Sequence, residues 1–251
     1  MQKVYRDVEL EVSEIAKLTE DSYAVRFRLN NFDFGYLPGQ FVMLKFEPLV
    51  ETDVFKVLNG APKVQSRAYS MSSSPNNKQY LEVTSKKTPD GFISDYMLKA
   101  LKPGHIVKVS GPYGKFIYEE DNNYSVFLIG AGSGISPLMS ILRHIIENKI
   151  DKVVTLLFSN KKFSDVFWYD ELNELKINNK NFKCFFTLTQ KDKDGWDGFE
   201  GRIREDMIKK CVDVNNQIFY ICGPPLMVDT TVKDLKKLGV DESRIRTEKY
   251  S

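Results

Sequence analysis

Two glycine-rich turns sit where an apolar run stops and an amphipathic segment begins. Gly130-Ala131-Gly132-Ser133-Gly134-Ile135-Ser136-Pro137 follows the run Ser125–Gly130, and Cys222-Gly223-Pro224-Pro225 follows the run Gln217–Cys222. Glycines let backbone amides approach a pyrophosphate, and the N-terminus of a following helix adds partial positive charge. The first turn is spaced G-x-G-x-G, not the G-x-G-x-x-G of the dinucleotide fingerprint, and no acidic residue follows roughly 20 positions on at a second strand end. Each turn alone is equally well a tight strand-to-helix connection, the second with proline opening the helix. Together, at the carboxyl ends of strands in one domain, they would face one crevice, where open α/β sheets bind ligands.

A different chemistry gathers earlier in the chain. Arg67-Ala68-Tyr69-Ser70 opens a strand that runs on through Met71-Ser72-Ser73-Ser74-Pro75. An arginine can clamp a phosphate with paired N–H donors. A tyrosine two positions along shares its strand face and can stack on a flat heterocycle, and a serine hydroxyl can donate to a ring nitrogen. A salt-bridged arginine and a core tyrosine explain the first two residues equally well. Thr84-Ser85-Lys86 and then Gly91-Phe92-Ile93-Ser94 place a glycine and a serine at a helix start, which reads as a second anion site or as a serine N-cap.

The elements that must hold these residues change character along the chain. Val8–Leu18, Tyr23–Leu29, Phe41–Phe46, Arg67–Ser73, Tyr80–Lys86 and His105–Gly114 are β-branched, aromatic or alternating, with turn clusters between them. They predict a small antiparallel barrel or sandwich with one helix over Phe92–Leu101. After Phe116 continuous apolar strands (Ser125–Gly130, Val153–Ser159, Phe182–Thr189, Gln217–Cys222) alternate with helical segments (Ile135–Glu147, Asp165–Leu175, Glu205–Cys211, Leu226–Leu238). That rhythm predicts a parallel sheet covered on both faces. Tyr118–Tyr124, centred on Glu-Glu-Asp-Asn-Asn, is the natural hinge, so two domains are expected, 1–118 and 119–251.

Composition excludes several classes. Of 251 residues, 36 are basic and 34 acidic, a net charge of +2, which gives no nucleic-acid footprint. No run approaches the length of a membrane span, and the opening residues read as a strand with no signal-peptide core, so a cytoplasmic protein is expected. Cys184, Cys211 and Cys222 lie far apart, and His105 and His144 are the two histidines. No structural zinc or four-cysteine iron–sulfur cluster can be assembled from that set, and the cysteines read as free thiols.

Taken in order, LPGQFV (Leu37–Val42), RAYSMSSSP, LEVTSKKTPDGFIS, GPYGKF, LIGAGSGISP, LLFSNKKFSDVFWYDEL, YICGPPLM and TEKYS resemble the ferredoxin–NADP reductase superfamily nearly end to end. The resemblance implies an N-terminal antiparallel flavin-binding β-barrel followed by a C-terminal parallel-sheet NAD(P)-binding α/β domain, and no iron–sulfur module. It implies that Arg67 holds the flavin phosphate, that Tyr69 stacks on the isoalloxazine with Ala68 between them, and that Ser70 approaches its N5. Thr84, Ser85 and Lys86, with Gly91, Phe92, Ile93 and Ser94, would line the ribityl chain and pyrophosphate of FAD, with FMN the less common alternative. Gly132, Gly134, Ser136 and Pro137 would cradle the nicotinamide nucleotide's pyrophosphate. Cys222 would sit beside the nicotinamide, with Gly223 and Pro224 shaping its pocket. Glu248 and Tyr250 match a C-terminal acid–aromatic pair, although the tail runs one residue past Tyr250. Ser70, Cys222 and Glu248 would tune the hydride transfer, which the flavin itself carries.

Ser159, Asn160 and Lys161 follow the second strand, where the coenzyme is chosen. Serine and lysine suit the 2′-phosphate of NADPH and no acid sits in Ser159–Lys162, so charge favours NADPH, while relatives with an asparagine in this stretch include NADH users and Asp165 lies nearby. The acceptor implied is a separate redox protein, a ferredoxin, cytochrome or oxygenase component. Pro48–Ser66 is long for a link between barrel strands, and reads as a docking loop or a surface excursion. Two other readings stand beside the reductase: an electron-transfer subunit like that of dihydroorotate dehydrogenase, and a nucleotide-binding regulatory module without turnover.

Overall fold

Alternation of apolar and polar side chains builds the first half of the molecule, and unbroken apolar strands build the second. A computed structural model describes residues 5–46, 65–88, 92–120 and 123–250, and divides the chain into two compact units, 1–117 and 118–251.

The first unit is a curled antiparallel sheet of β1 (Tyr5–Thr19), β2 (Ser22–Arg28), β3 (Phe41–Phe46), β4 (Gln65–Ser70), β5 (Tyr80–Lys86) and β6 (Ile106–Tyr113). The strands lie in the order β4-β3-β6-β1-β2-β5. β1 is long enough to serve two neighbours, pairing its first part with β6 and its second with β2. A register shift between Val12 and Glu14 falls at that hand-over, and such bulges bend a strand and strengthen its twist. The curl brings the sheet's ends together: Met71, just past β4, bridges to Val83 of β5. Val12, Val25, Phe27, Val42, Leu44, Leu81 and Val109 fill the interior, and the helix α1 (Phe92–Lys99) adds Tyr96 and Met97. Leu44 is fully buried, so Leu44→Ala would cost about 2–5 kcal/mol.

The second unit is a parallel sheet of β7 (Ser125–Ala131), β8 (Val154–Asn160), β9 (Phe182–Leu188), β10 (Phe199–Glu200), β11 (Gln217–Gly223) and β12 (Ile245–Lys249), in the order β10-β9-β8-β7-β11-β12. The helices are α2 (Ile135–Glu147), α3 (Tyr169–Asn178), α4 (Glu205–Cys211) and α5 (Pro225–Lys237). Every residue of β8 and β11 is buried, as strands covered on both faces require. On one face Phe127, Ile129, Leu157, Phe219 and Ile221 pack with Met207 and Ile208 of α4 and Val228 and Leu235 of α5. On the other, a Cβ at Gly130 would stand 2.9 Å from Leu138 Cδ1, so α2 lies close because that position has no side chain.

Two details depart from the expected elements. The helix expected from Asp165 starts at Tyr169, because Phe163–Asp165 forms a 3₁₀ turn and Trp168 takes a left-handed φ of 51°. β12 is a strand that the residue pattern does not predict: Ile-Arg-Thr-Glu-Lys is a charged sequence, which suits a sheet edge rather than its centre. Most of the long link expected at Pro48–Ser66 lies outside the described residues. No helix among the described residues is long and apolar enough to cross a membrane.

Candidate functional site

In the parallel sheet the strand order turns back at β7, with β8 on one side and β11 on the other. The carboxyl ends of β7 and β11 therefore flank the switch point, where sheets of this kind open a crevice. Both candidate glycine turns stand there and touch. A Cβ at Gly134 would lie 2.4 Å from the Cys222 carbonyl oxygen and 2.7 Å from Gly223 Cα. These are backbone atoms that cannot swing aside. Gly132 adopts a left-handed φ of +53°, which glycine takes without strain. Ser136 is buried and donates from Oγ to the Ser133 carbonyl at 2.9 Å, so its hydroxyl fastens the turn. Pro137 is buried in the first turn of α2, and Pro224 precedes Pro225 at the start of α5, where a missing N–H costs nothing.

Cys222 is fully buried and aligned in register with Glu248 of β12. Its Sγ lies 4.0 Å from Glu248 Oε2. Burial first, and then the Glu248 charge, push the thiol well above its ordinary range, opposed by the Tyr250 hydroxyl. Cys222 is thus a neutral thiol that donates toward a carboxylate, and not a thiolate nucleophile. Tyr250 is tied by its backbone N–H, which donates to the Gly223 carbonyl at 2.9 Å. One crevice edge therefore carries Cys222, Gly223, Glu248 and Tyr250 together.

At the end of β8, Ser159 and Asn160 are buried while Lys161 is exposed. Neither Oδ1 nor Nδ2 of Asn160 has a hydrogen-bond partner among the described residues. An unmatched buried polar group costs about 1–3 kcal/mol, and a polar ligand group at this strand end would remove that cost. Beside it, two backbone donors are already taken: Lys162 N–H donates to Asp165 Oδ2 at 3.1 Å and Phe163 N–H to Asp192 Oδ1 at 2.8 Å. The Lys193 ammonium stands 3.5 Å from the centre of the Phe163 ring.

The first unit gathers its candidates on two strands. Along β4, Arg67 and Ala68 are exposed, Tyr69 is half-buried and Ser70 is buried. On β5, Thr84 and Ser85 are buried, and Lys86 Nζ lies 3.4 Å from Asp21 Oδ2. Desolvation raises the Tyr69 phenol above its ordinary value, opposed by the nearby Ser85 hydroxyl and the Arg67 charge. Ser85 Oγ is close enough to exert that effect, yet it is buried without a hydrogen-bond partner among the described residues. Ser94 Oγ accepts from the Thr88 N–H at 3.2 Å. Ile93 turns its side chain into the core, leaving only its backbone for a ligand. Gly91 lies outside the described residues, as does the side chain of Phe92. Three residues that the sequence does not single out frame this region: Arg26, Tyr36 and Glu82, the last fully buried. Strict alternation puts Glu82 on the outer face between Leu81 and Val83, and only the closing of the sheet buries it.

The unmatched polar atoms of Asn160 and Ser85, with the backbone cradle at Gly132–Gly134, fit residues that hold a phosphorylated cofactor. The cysteines do not form a metal-binding set: Cys184 lies on β9, Cys211 ends α4 and Cys222 is on β11, all free and buried.

Comparison with known proteins agrees with this division of labour. Residues 9–118 match the oxidoreductase FAD-binding domain and residues 128–233 the oxidoreductase NAD-binding domain. NADH-cytochrome b5 reductase 2 of Chaetomium globosum is 30% identical over 247 residues, covering 95% of this chain and 67% of the relative. The protein of that name from Mycosarcoma maydis is 30% identical over 227 residues, covering 88% of this chain and 63% of the relative. The chain spans between about half and two thirds of the length of most such relatives. Among solved structures, the FAD/NAD-binding domain of a nitric oxide dioxygenase from Vibrio cholerae superposes with a TM-score of 0.85 at 22% identity, covering 98% of this chain and 99% of that one.

Proposed function

We propose that this chain, which belongs to the ferredoxin–NADP reductase superfamily of flavoprotein oxidoreductases, oxidises a reduced nicotinamide nucleotide through bound FAD and passes the electrons to a separate redox protein. The observation that carries this reading is the contact between the glycine turns at the switch point, which leaves Gly134 no room for a side chain. Two glycine turns at the carboxyl ends of neighbouring strands bring helix N-termini with free N–H donors to one crevice, which suits a pyrophosphate.

FAD, when bound, accepts hydride from the nicotinamide and releases electrons to the acceptor. The chain's residues supply placement. Arg67 would pair with the flavin pyrophosphate through its fork of N–H donors, Tyr69 would stack on the ring system, and Ser70 would donate to it. Thr84, Ser85 and Lys86 would hold the rest of the cofactor. Gly132 and Gly134 would present backbone amides to the coenzyme pyrophosphate, and Asn160 would bond the coenzyme's sugar. Cys222, kept protonated, donates toward Glu248 and gives the nicotinamide a neutral, polarisable neighbour.

The coenzyme we assign is NADH. The charge of Lys161 and Lys162 by itself favours a 2′-phosphate, but Asp165 and Asp192 already occupy the amides beside Asn160. A phosphate there would meet two carboxylates and find the backbone donors engaged, whereas a ribose hydroxyl needs neither. The acceptor is a one-electron carrier of the cytochrome or ferredoxin kind. We assign the protein to a cytoplasmic setting, where buried free thiols persist.

Steady-state assays test this reading. The FAD-loaded protein should oxidise NADH with ferricyanide or a small cytochrome as acceptor, and NADPH at least tenfold less efficiently, about 1.4 kcal/mol of discrimination. Failure to oxidise either coenzyme with any acceptor would leave only the fold.

A further inference from the structure

We propose that Glu82, compensated by Arg26, is the clasp that sets the spacing between the two halves of the flavin site, a positioning role for a pair that contacts no reacting atom. The inference rests on the flavin reading above. Its starting point is topological. Arg67–Ser70 lie on β4 and Thr84–Lys86 on β5, which are the first and last strands in the sheet order β4-β3-β6-β1-β2-β5. Through the sheet they are as far apart as two strands can be, so their separation is set where the curl closes.

At that seam Met71 bridges to Val83, and the Met71 N–H donates to the Gln40 carbonyl at 3.0 Å. One residue on, Ser72 N–H donates to the Glu82 carbonyl at 2.8 Å, and Ser72 Oγ donates to Glu82 Oε1 at 2.9 Å. Glu82 N–H donates to Ser73 Oγ at 2.9 Å, and the Tyr36 hydroxyl donates to the Ser73 carbonyl at 2.9 Å. Glu82 thus holds Ser72 through its carbonyl and its side chain and Ser73 through its N–H, with only Met71 between these serines and Ser70, and with Val83 and Thr84 next along β5.

The second carboxylate oxygen explains Arg26. Arg26 Nε donates to Glu82 Oε2 at 2.9 Å, while its NH1 reaches Glu14 at 2.6 Å and its guanidinium lies 4.5 Å from the centre of the Tyr80 ring. A fully buried carboxylate is expensive, and a well-packed apolar residue often serves stability as well or better. A charge at this place makes sense where geometry must be specified: the two oxygens are held by directional bonds, one from β2 and one from the segment leaving β4. A slack seam would let β4, an edge strand paired to β3 alone in the sheet order, drift relative to β5.

The test is flavin affinity measured on folded protein. Glu82→Gln keeps the shape and removes the charge, and is expected to weaken FAD binding about tenfold or more while shifting the visible bands of the bound flavin. Ser72→Ala removes one hydroxyl, folds with less risk, and is expected to weaken FAD in the same direction by several-fold. The double variant should lose less than the sum of the two single losses, because both substitutions slacken the same seam. Binding of ADP-ribose to the second unit, read by calorimetry, should stay at the wild-type value in all three. A lowered melting temperature with wild-type FAD affinity and an unshifted flavin spectrum in both single variants would overturn the clasp. Wild-type protein that takes up no FAD would instead sink the flavin reading on which it rests.

Discussion

The two candidate sites are built from different materials. In the second unit the candidate nucleotide cradle is made of backbone, with Gly132 and Gly134 just past β7 and Gly223 at the end of the fully buried β11. In the first unit the flavin candidates are side chains, with Arg67 and Ala68 exposed on an edge strand and Ser85 buried on another. Backbone sites fail by collision and side-chain sites fail by lost bonds. The first kind should be all-or-none, and the second graded.

The largest expected effect tests that contrast at its sharpest. Gly134→Ala puts a Cβ 2.4 Å from the Cys222 carbonyl, so coenzyme binding should weaken by about 100-fold or more, roughly 3 kcal/mol. FAD should still bind and still be reduced by dithionite. Parallel titrations with ADP-ribose and FAD check this, and a Gly134→Ala protein that binds ADP-ribose normally breaks the comparison.

Base should separate the units next. All three cysteines belong to the second unit. Burial raises Cys184 and Cys211 from an ordinary value of 9.0 to about 12, and burial with the Glu248 charge raises Cys222 well above its ordinary range. Above 9 the unfolded thiols release protons that the folded ones keep, so the unfolded state binds fewer protons and stability falls with rising pH. The stability these thiols give is complete below pH 9 and is lost between 9 and about 12. Denaturant titrations at pH 8 and pH 10 should show a loss of about 1 kcal/mol per thiol, and Cys184→Ala should flatten the slope.

A side-chain site predicts a smaller, graded loss. Arg67→Ala should weaken FAD by about 1.5–3 kcal/mol, the range for a charge-assisted hydrogen bond. Its melting temperature without FAD should be unchanged, since Arg67 is exposed. Calorimetric FAD binding and apoprotein melting check both halves of that statement.

The smallest effect is also the most diagnostic of purpose. Asn160 is buried with both amide atoms unmatched among the described residues, so Asn160→Leu should leave the apoprotein equally stable or about 1 kcal/mol more stable. The same variant should bind NADH several-fold more weakly. Lost stability with unchanged NADH affinity would make Asn160 a structural residue.

How far the sequence carries follows from the same contrast. The two glycine turns can be located from their residues, although each by itself reads equally well as a tight strand-to-helix connection. The parallel sheet is equally legible, since strands such as Phe127–Ile129 are apolar without alternation. What stays hidden depends on closure. Glu82 looks like a solvated strand residue until Met71 meets Val83, and Arg26 looks like its surface partner. Asp192 lies far along the chain from Phe163, whose amide it takes, so neither residue hints at coenzyme choice alone. β12 escapes the residue pattern because an edge strand can be charged. The pattern starts α3 too early because Trp168 takes a conformation that its residue type does not suggest.

The most direct test of the central claim is a single anaerobic turnover. FAD-loaded protein is mixed with NADH, and the visible flavin absorbance is followed. The account expects rapid bleaching with NADH, slower bleaching with NADPH, and bleaching slowed about 100-fold or more with either coenzyme in Gly134→Ala at sub-saturating coenzyme. Flavin that stays oxidised in the wild type under excess NADH, or that bleaches at the wild-type rate in Gly134→Ala, would contradict it.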